Sequence, residues 1–301
     1  MIAQKPGKKI SLMIIGAQKA GTTSLKNYLG QHPKLCTHPH KEFSFFPDQD
    51  EFAGGFEAAR KRYFPDMPDK TWLLAKNAGL YVDESALQRL QAHNPECKVI
   101  LILRDPVDRT YSSFLMEKNY GAHRESFDYI EDIARNADSA DWRYSVFIRM
   151  GFYAEHLAQV YRYFPKENVK IIRYEQLEED PALTCQHVFS WINVDPTFLP
   201  DVSVRHNATC VSRSHAYGRL IKRLLHNRNP LKMVARKILP ARFDYKLGEI
   251  LRNINKTNQN YEAAPEKSID FLRSFFAPHN ERLSEMTGID FSDWNRSKRR
   301  Q

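Results

Sequence analysis

Apolar residues along this chain fall into four short continuous runs, and stretches with apolar residues at helical spacing lie between them. Short apolar runs predict buried strands, whereas apolar residues three and four positions apart predict amphipathic helices. Strands that alternate with helices predict an α/β fold of three layers, in which helices flank a central, mostly parallel sheet. The four predicted strands are "KISLMIIG", "WLLAKN", "KVILILRDP" and "NVKIIRYE".

Helices are predicted between these strands and after the last of them. "TTSLKNYLGQHP" predicts a helix that ends before Pro33, and "DPVDRTYSSFLMEKNYG" predicts one with Asp105 near its start and Gly121 past its end. "GFYAEHLAQVYRYFP" and "DPALTCQHVFSWINV" predict two more. Ligands of parallel sheets bind beyond the carboxyl ends of the strands, so the sequences "GAQKAGTTS" and "RDPVDRTYSS" at two such ends are the candidate site.

The length and composition are those of a globular protein. With 301 residues, of which 42% are hydrophobic and 27% charged, the chain can bury a full core, and we predict a single domain over residues 1–301. Residues 48–70 are predicted as a surface excursion between strands. No run of about 18 apolar residues predicts a membrane span. Four scattered cysteines predict reduced thiols in a cytoplasmic protein.

Positive charge is concentrated in one segment. The formal net charge is +9, but residues 211–256 alone hold twelve Lys or Arg against two acids, a net +10. This segment, called here the basic block, is predicted as a helical appendage. A basic segment favours an anionic partner such as a nucleotide, an acidic glycan, a membrane surface or nucleic acid. A solvated helical face accounts for the same charges equally well.

The loop after the first predicted strand has the form of a phosphate-binding loop. A strand–loop–helix junction directs backbone N–H groups and the helix dipole at an anion, and Gly16 and Gly21 allow the tight path. A P-loop that hydrolyses nucleotides carries a lysine where Thr22 stands. The lysine of this loop is instead Lys19, and no aspartate follows a strand in the way needed to hold Mg²⁺ beside Thr23. The sequence therefore predicts a P-loop-like anion site that works without a metal.

This stretch resembles the 5′-phosphosulfate loop of sulfotransferases that use 3′-phosphoadenosine 5′-phosphosulfate (PAPS). The resemblance implies that the loop lysine contacts the phosphosulfate and that the glycine and hydroxyl residues surround the 5′-phosphate. A second motif of that family binds the 3′-phosphate with an arginine at a strand end and a serine eight residues on, and "LRDPVDRTYSSF" supplies Arg104 and Ser112. The implied donor-binding residues of the loop are Lys19, Ala20, Gly21, Thr22, Thr23 and Ser24.

The resemblance is greatest to the carbohydrate-type branch, that of the heparan sulfate sulfotransferases and many bacterial relatives. "HPHKEFSFFP" matches the branch segment K-E-x-x-F-F, whose glutamate is the expected general base and is Glu42 here. "LLAKNAGLYVDE" resembles a segment that implies an active-site role for Lys76. The small-molecule branch normally uses a histidine base, so His38 and His40 compete with Glu42.

Two further segments take part in the resemblance. The ending "RLSEMTGIDFSDW" resembles the closing helix and tail of bacterial members. "HNATCVSRSHAYGRL" occupies the place of the loop that closes over the nucleotide, which would put Arg213 near the cofactor. Arg213 could equally be a solvated cation.

The reaction that the resemblance implies is an in-line displacement at sulfur. An acceptor hydroxyl or amine attacks the sulfuryl group of PAPS, and 3′-phosphoadenosine 5′-phosphate (PAP) leaves. Glu42 would take the acceptor proton, while Lys19 and Lys76 would offset charge on the leaving phosphate and on the sulfuryl oxygens. The implied acceptor is a small molecule, a glycan or a lipid-linked group, which the basic block could attract together with the membrane surface carrying it. No metal and no nucleic-acid partner are expected.

Two other classes of function stay open. A P-loop kinase or NTPase is opposed by the threonine at position 22 and by the missing magnesium aspartate. A non-catalytic protein that binds a nucleotide or RNA is opposed by the lack of aromatic RNA-binding motifs.

Overall fold

The computed structural model describes residues 9–65, 72–138, 140–203 and 263–296. The chain divides into two compact units. The first unit comprises Met1–Arg104 and Glu155–Asn207, and the second comprises Asp105–Ala154 and Ala208–Gln301. The single domain over residues 1–301 stays a prediction, and the basic block lies outside the described residues.

A parallel sheet of five strands forms the centre of the first unit. Its order is β2-β3-β1-β4-β5, and every neighbouring pair is parallel. This confirms the predicted α/β fold with a central sheet flanked by helices. The strand β2 was not predicted, because three residues at the edge of a sheet leave no apolar run in the sequence. The strands are β1 (Ile10–Gly16), β2 (Leu35–Thr37), β3 (Trp72–Lys76), β4 (Lys98–Leu103) and β5 (Val169–Arg173).

The first strand of the sequence is the middle strand of the sheet. Ile10 lies opposite Leu73 of β3, and on the other side Leu12 lies opposite Lys98 of β4. All seven residues of β1 are buried, which is why its sequence is a continuous apolar run rather than an alternation. Because β1 has neighbours on both sides, the loop that follows it emerges between the carboxyl ends of β3 and β4.

The predicted helices are present, with small differences at their ends. The helix after β1 ends at Leu29, before Pro33 as predicted, and Gly30 takes the C-cap position. Residues 48–65 are more regular than the predicted surface excursion, since they form two short helices. The helices are α1 (Thr22–Leu29), α2 (Gln49–Ala53), α3 (Phe56–Tyr63), α4 (Glu84–His93), α5 (Pro106–Asn119), α6 (Ile130–Asn136), α7 (Tyr153–Tyr163), α8 (Tyr174–Glu179), α9 (Pro181–Trp191) and α10 (Glu266–Thr287).

The second unit is helical in its described part. Helix α5 begins as predicted, because the Asp105 side chain accepts a hydrogen bond from the Val107 N–H and Pro106 occupies the first turn. Helix α10 and the tail after it include the predicted closing segment, and Gly288 ends the helix with a φ of 70°. Both helices contribute to one apolar core, whose members include Phe114, Phe147, Leu272 and Phe276.

Two further observations on the described residues concern membrane-spanning helices and disulfides. In the part of the chain that the structure describes, every helix is too short or too polar to cross a bilayer. No disulfide joins Cys36, Cys97 and Cys185, the three cysteines in that part.

The start of β1 is held by the end of α4. The Ile10 N–H donates to Nε2 of His93 at 3.1 Å, and the Ile10 carbonyl accepts from Asn94 at 2.9 Å. Nε2 can accept only while the imidazole is neutral. Burial lowers the pKa of His93 to about 4, so the folded protein holds this histidine neutral at pH values where an unfolded chain would bind a proton.

We expect this histidine to make the fold sensitive to acid. Its stabilising contribution is complete above the unfolded pKa near 6.5 and is lost as the pH falls toward 4. Wild type should therefore lose about 1–2 kcal/mol more than His93→Gln between pH 7 and 4, after allowance for solvent screening. Urea unfolding at several pH values measures this difference. Equal losses in the two proteins would contradict it, because Gln keeps an acceptor and has no titrating proton.

Candidate active site

Three neighbouring strands of the first unit end at the same edge of the sheet. β1 ends at Gly16, β3 ends at Lys76, and Arg104 follows β4 directly. In an open parallel sheet the crevice outside the carboxyl ends, where neighbouring connections leave in opposite directions, is the usual ligand site. Of the predicted site residues, Lys76 and Arg104 lie at these ends, and Thr22 and Thr23 lie in the first turn of α1; their roles as site residues stay a prediction.

The loop between β1 and α1 has the backbone form of an anion site. Lys19 has a φ of 72° and Gly21 a φ of 79°, so the chain passes twice through the left-handed region. Alternation of this kind turns consecutive N–H groups toward one side, where they form a concave site for an anion. Gly21 is the N-cap residue of α1 and provides no side-chain cap, which leaves the first turn of the helix suited to an anion from outside the chain.

Arg104 supports this loop from the next strand. Its Nη1 donates to the carbonyl oxygen of Lys19 at 3.2 Å, and its guanidinium lies 4.7 Å from the ring centre of Tyr174. The hydrogen bond fixes the residue that has the unfavourable backbone conformation, and the aromatic ring holds the guanidinium plane. Ser112 lies on α5 in the second unit, so its partnership with Arg104 in binding a 3′-phosphate stays a prediction.

Glu42, Lys76 and Thr23 form a continuous hydrogen-bonded chain. Nζ of Lys76 donates to Oε1 of Glu42 at 2.7 Å and to Oγ1 of Thr23 at 3.3 Å. The other carboxylate oxygen of Glu42, Oε2, accepts from the Ala78 N–H at 3.0 Å. Three segments that are far apart in the sequence therefore meet here, namely the first turn of α1, the K-E-x-x-F-F segment and the end of β3.

The electrostatics of the hydrogen-bonded group Glu42–Lys76–Thr23 depend on the buried ammonium group of Lys76. The Lys76 side chain is 1% exposed, whereas that of Glu42 is 33% exposed. Burial lowers the pKa of Lys76, and the charge and hydrogen bond of Glu42 oppose that shift. The carboxylate thus keeps a cation in the interior, while its own partial exposure leaves it accessible to a molecule in the crevice.

Of the two histidines near Glu42, His38 is buried and His40 is half-buried. His38 is 1% exposed, and its Nε2 accepts from the Lys76 N–H at 3.3 Å. Burial and the charge of Lys26 hold the pKa of His38 well below its usual value, so the ring is neutral and already engaged with the backbone. The ring of His40 packs 4.8 Å from that of Tyr63. These contacts are the ones that structural histidines make.

Sequence reasoning missed one charged residue beside this site. Lys26 is 3% exposed, and its Nζ donates to the carbonyl oxygens of His38 at 2.7 Å and His40 at 3.2 Å. Burial, and next the charge of Lys76, lower the pKa of Lys26 to about 8. The available signal was its position, because residues 22, 25 and 29 of the same helix form the buried stripe to which position 26 also belongs.

The remaining predicted residues are placed as follows. Ala20 and Thr22 are buried, and Ser24 is half-buried in the first turn of α1. Arg213 lies outside the described residues, so its proximity to a nucleotide stays a prediction.

Comparison with known proteins gives consistent results. A family model described as a sulfotransferase domain matches residues 9–212, about two thirds of the chain. Heparan sulfate glucosamine 3-O-sulfotransferase 6 of Mus musculus is 25% identical over 299 residues, covering 96% of this chain and 76% of the relative. Bifunctional heparan sulfate N-deacetylase/N-sulfotransferase 1 of Caenorhabditis briggsae is 26% identical over 208 residues, covering 64% of this chain and 24% of the relative.

A solved structure shows the same fold. The crystal structure of a sulfotransferase from Alicyclobacillus acidocaldarius superposes with a TM-score of 0.65 and 22% sequence identity. The match covers 96% of this chain and all of that one.

The glycine that ends β1 allows a test of the packing under the loop. A Cβ at Gly16 would lie 2.4 Å from a ring carbon of Tyr81 and 3.0 Å from Leu101. We expect Gly16→Ala to displace the ring and to lower the free energy of unfolding by about 1–3 kcal/mol, as overpacking does. Urea unfolding is the measurement, and Gly54→Ala is the matched control, since a Cβ there meets only backbone oxygens at 3.4 Å or more. Equal stability of both variants would show that the Tyr81 ring has room to move.

Proposed function

This chain belongs to the sulfotransferase family, and on that premise we propose that Glu42, Lys76 and Lys19 are the groups with which it moves a sulfuryl group. The chain is a PAPS-dependent sulfotransferase, and PAP is the product formed from the donor. The observation that carries the proposed roles is the hydrogen-bonded chain from Glu42 through Lys76 to Thr23. It connects the segment with the expected base to the first turn of the phosphate-binding helix.

Glu42 is proposed as the general base. As an acceptor oxygen forms its bond to sulfur, the bond from sulfur to the 5′-phosphate oxygen breaks, and the acceptor proton passes to the Glu42 carboxylate. A carboxylate offers about four lone-pair positions. Lys76 and the Ala78 N–H use two of them here, so a lone pair remains for the proton. His38 is enclosed and accepts a backbone hydrogen bond, which supports Glu42 over histidine.

Lys76 and Lys19 are proposed to stabilise charge in the transition state. Two of the three N–H donors of Lys76 contact Glu42 and Thr23, and the third would serve a sulfuryl oxygen. Lys19 projects from the anion-binding loop and would offset the charge that grows on the leaving phosphate. Fixed cations of this kind in a site poor in water contribute much of the catalytic effect of many enzymes.

The acceptor is proposed to be a carbohydrate hydroxyl, with an amine as the second choice. The support is similarity, because the two curated relatives described above are named as a heparan sulfate glucosamine 3-O-sulfotransferase and a heparan sulfate N-deacetylase/N-sulfotransferase. Glycolipids and secondary-metabolite alcohols are acceptors of the same chemistry. The basic block, residues 211–256, would attract an anionic acceptor or a membrane surface, and location in the cytoplasm stays a prediction. The kinase, NTPase and RNA-binding alternatives gain no support from the comparisons.

The direct test is transfer of labelled sulfate from PAPS to a panel of desulfated heparan sulfate, glycolipids and long-chain alcohols. Label on a member of the panel would identify the acceptor class. Magnesium-dependent turnover of ATP with no sulfate transfer would instead revive the kinase alternative.

We expect Glu42→Gln to lower kcat at least about 100-fold, the usual contribution of a general base. Its affinity for PAP should stay within a few-fold of wild type, because the amide keeps the shape of the carboxylate and can still accept from Lys76. Labelled-sulfate transfer and calorimetric titration with PAP measure the two quantities. Glu57→Gln is the matched control, since this glutamate forms a surface pair with Arg60. Retention of most activity by Glu42→Gln would make a histidine the leading base.

The donor site should distinguish nucleotides by their 3′-phosphate. We expect PAP to bind wild type at least about tenfold more tightly than 5′-AMP, because a charge-assisted hydrogen bond contributes about 1.5–3 kcal/mol. Arg104→Met should remove most of this preference, whereas Arg60→Met at the surface should keep it. Calorimetry with both nucleotides gives the ratios. Equal affinities in wild type would exclude a built 3′-phosphate site.

A further inference from the structure

The segment that carries Glu42 is attached to the rest of the unit by few regular interactions. It follows the short edge strand β2, and residues 38–44 belong to no helix or strand. Its hydrogen bonds include those from the Phe43 N–H to the Lys76 carbonyl at 2.7 Å and from Asn77 to the Phe43 carbonyl at 3.1 Å. Both bonds lie on the side of Glu42 that is nearer to the C-terminus. On the other side the Lys76 N–H donates to Nε2 of His38 at 3.3 Å, and a further attachment comes from helix α1.

Lys26 supplies that attachment. Its ammonium group donates to the carbonyls of His38 and His40 at 2.7 and 3.2 Å, four and two residues before Glu42. The same side chain is 3% exposed. A buried ammonium group is costly unless its hydrogen bonds are made, so the segment and the lysine hold each other in place.

The helix that carries Lys26 also carries the donor loop. Lys26 lies one turn after Thr22 in α1, and that helix begins directly at Gly21. A rigid helical turn therefore joins the anion-binding backbone to the segment that bears the expected base. Lys76 makes a second connection between the same two parts through Thr23 and Glu42.

We propose that Lys26 is a positioning residue for catalysis, which holds the segment around His38 and His40 so that the Glu42 carboxylate keeps its place beside Lys76. This inference rests on the proposed role of Glu42. It assigns Lys26 no contact with the donor or the acceptor. Because a misplacement of about 1 Å can cost roughly 100-fold in rate, loss of the two hydrogen bonds should be visible in kcat.

The test is a double-variant cycle with Glu42. Lys26→Met, which keeps most of the apolar stem of the side chain and loses its donors, should lower kcat about 10- to 100-fold. The affinity for PAP should change less than about threefold. In the Glu42→Gln background the same substitution should change kcat less than about threefold, because a displaced segment no longer matters when the base is absent. Lys34→Met, at an exposed lysine that precedes the same segment, is the matched control and should leave kcat unchanged.

The acceptor in these assays is the panel member that takes most label, and labelled sulfate allows the low rates of the double variant to be measured. Lys26→Arg, which keeps donors at full reach, should restore part of the lost kcat. If Lys26→Met fails to fold, Lys26→Gln takes its place in the cycle. An unchanged kcat, a fully multiplicative loss in the double variant, or a parallel loss of PAP affinity would each overturn the proposal. Should Glu42→Gln itself keep its activity, the proposed base fails first, and the two failures are thereby distinguished.

Discussion

The ammonium group of Lys76 is almost completely buried, and the end of the sheet around it is arranged to compensate that charge. A cation in the interior requires a close anion and well-made hydrogen bonds, or it loses its proton. Glu42 supplies the anion and Thr23 a hydroxyl oxygen. This requirement brings together three segments that are far apart in the sequence. It also places a partly exposed carboxylate close to the phosphate-binding loop. The Glu42–Lys76 ion pair thus stabilises the fold and also supplies the two groups proposed to act in catalysis.

The parts of the fold that the sequence predicted are those with a local physical cause. Apolar runs marked β1, β3 and β4 because these strands are almost wholly buried. The edge strand β5 is only partly buried but has enough apolar residues to be recognised, whereas the edge strand β2 has too few residues to form a pattern. The anion-binding loop was predictable because glycines and hydroxyls are required at fixed positions along the chain. Lys26 was missed for the opposite reason. Its partners are carbonyl oxygens of another segment. Every residue has a backbone carbonyl, so residue types do not show which carbonyls will accept from a lysine.

The described residues account for the chemistry at the donor but not for the choice of acceptor. The donor loop and the ion pair both lie in the first unit, with Lys76 at the end of β3 and Glu42 in the irregular segment after β2. Together they suit the transfer of a charged group from a nucleotide. The sheet and the loop contain nothing that selects an acceptor, in keeping with the general separation between a fold and the substrates that it serves. The residues that select the acceptor are to be sought outside the sheet and the loop, and the basic block is one candidate segment because of its charge.

The central place of β1 has a consequence for the synthesis of the protein. β1 is synthesised before its partners on either side, since Ile10 pairs with Leu73 and Leu12 with Lys98, both of which come later in the chain. Contacts between distant residues form slowly, because the chain between them must first be closed. During that interval a seven-residue apolar strand with both edges open is exposed to other nascent chains. The central position that buries β1 in the folded enzyme therefore leaves the same strand open to aggregation while the rest of its sheet is being made.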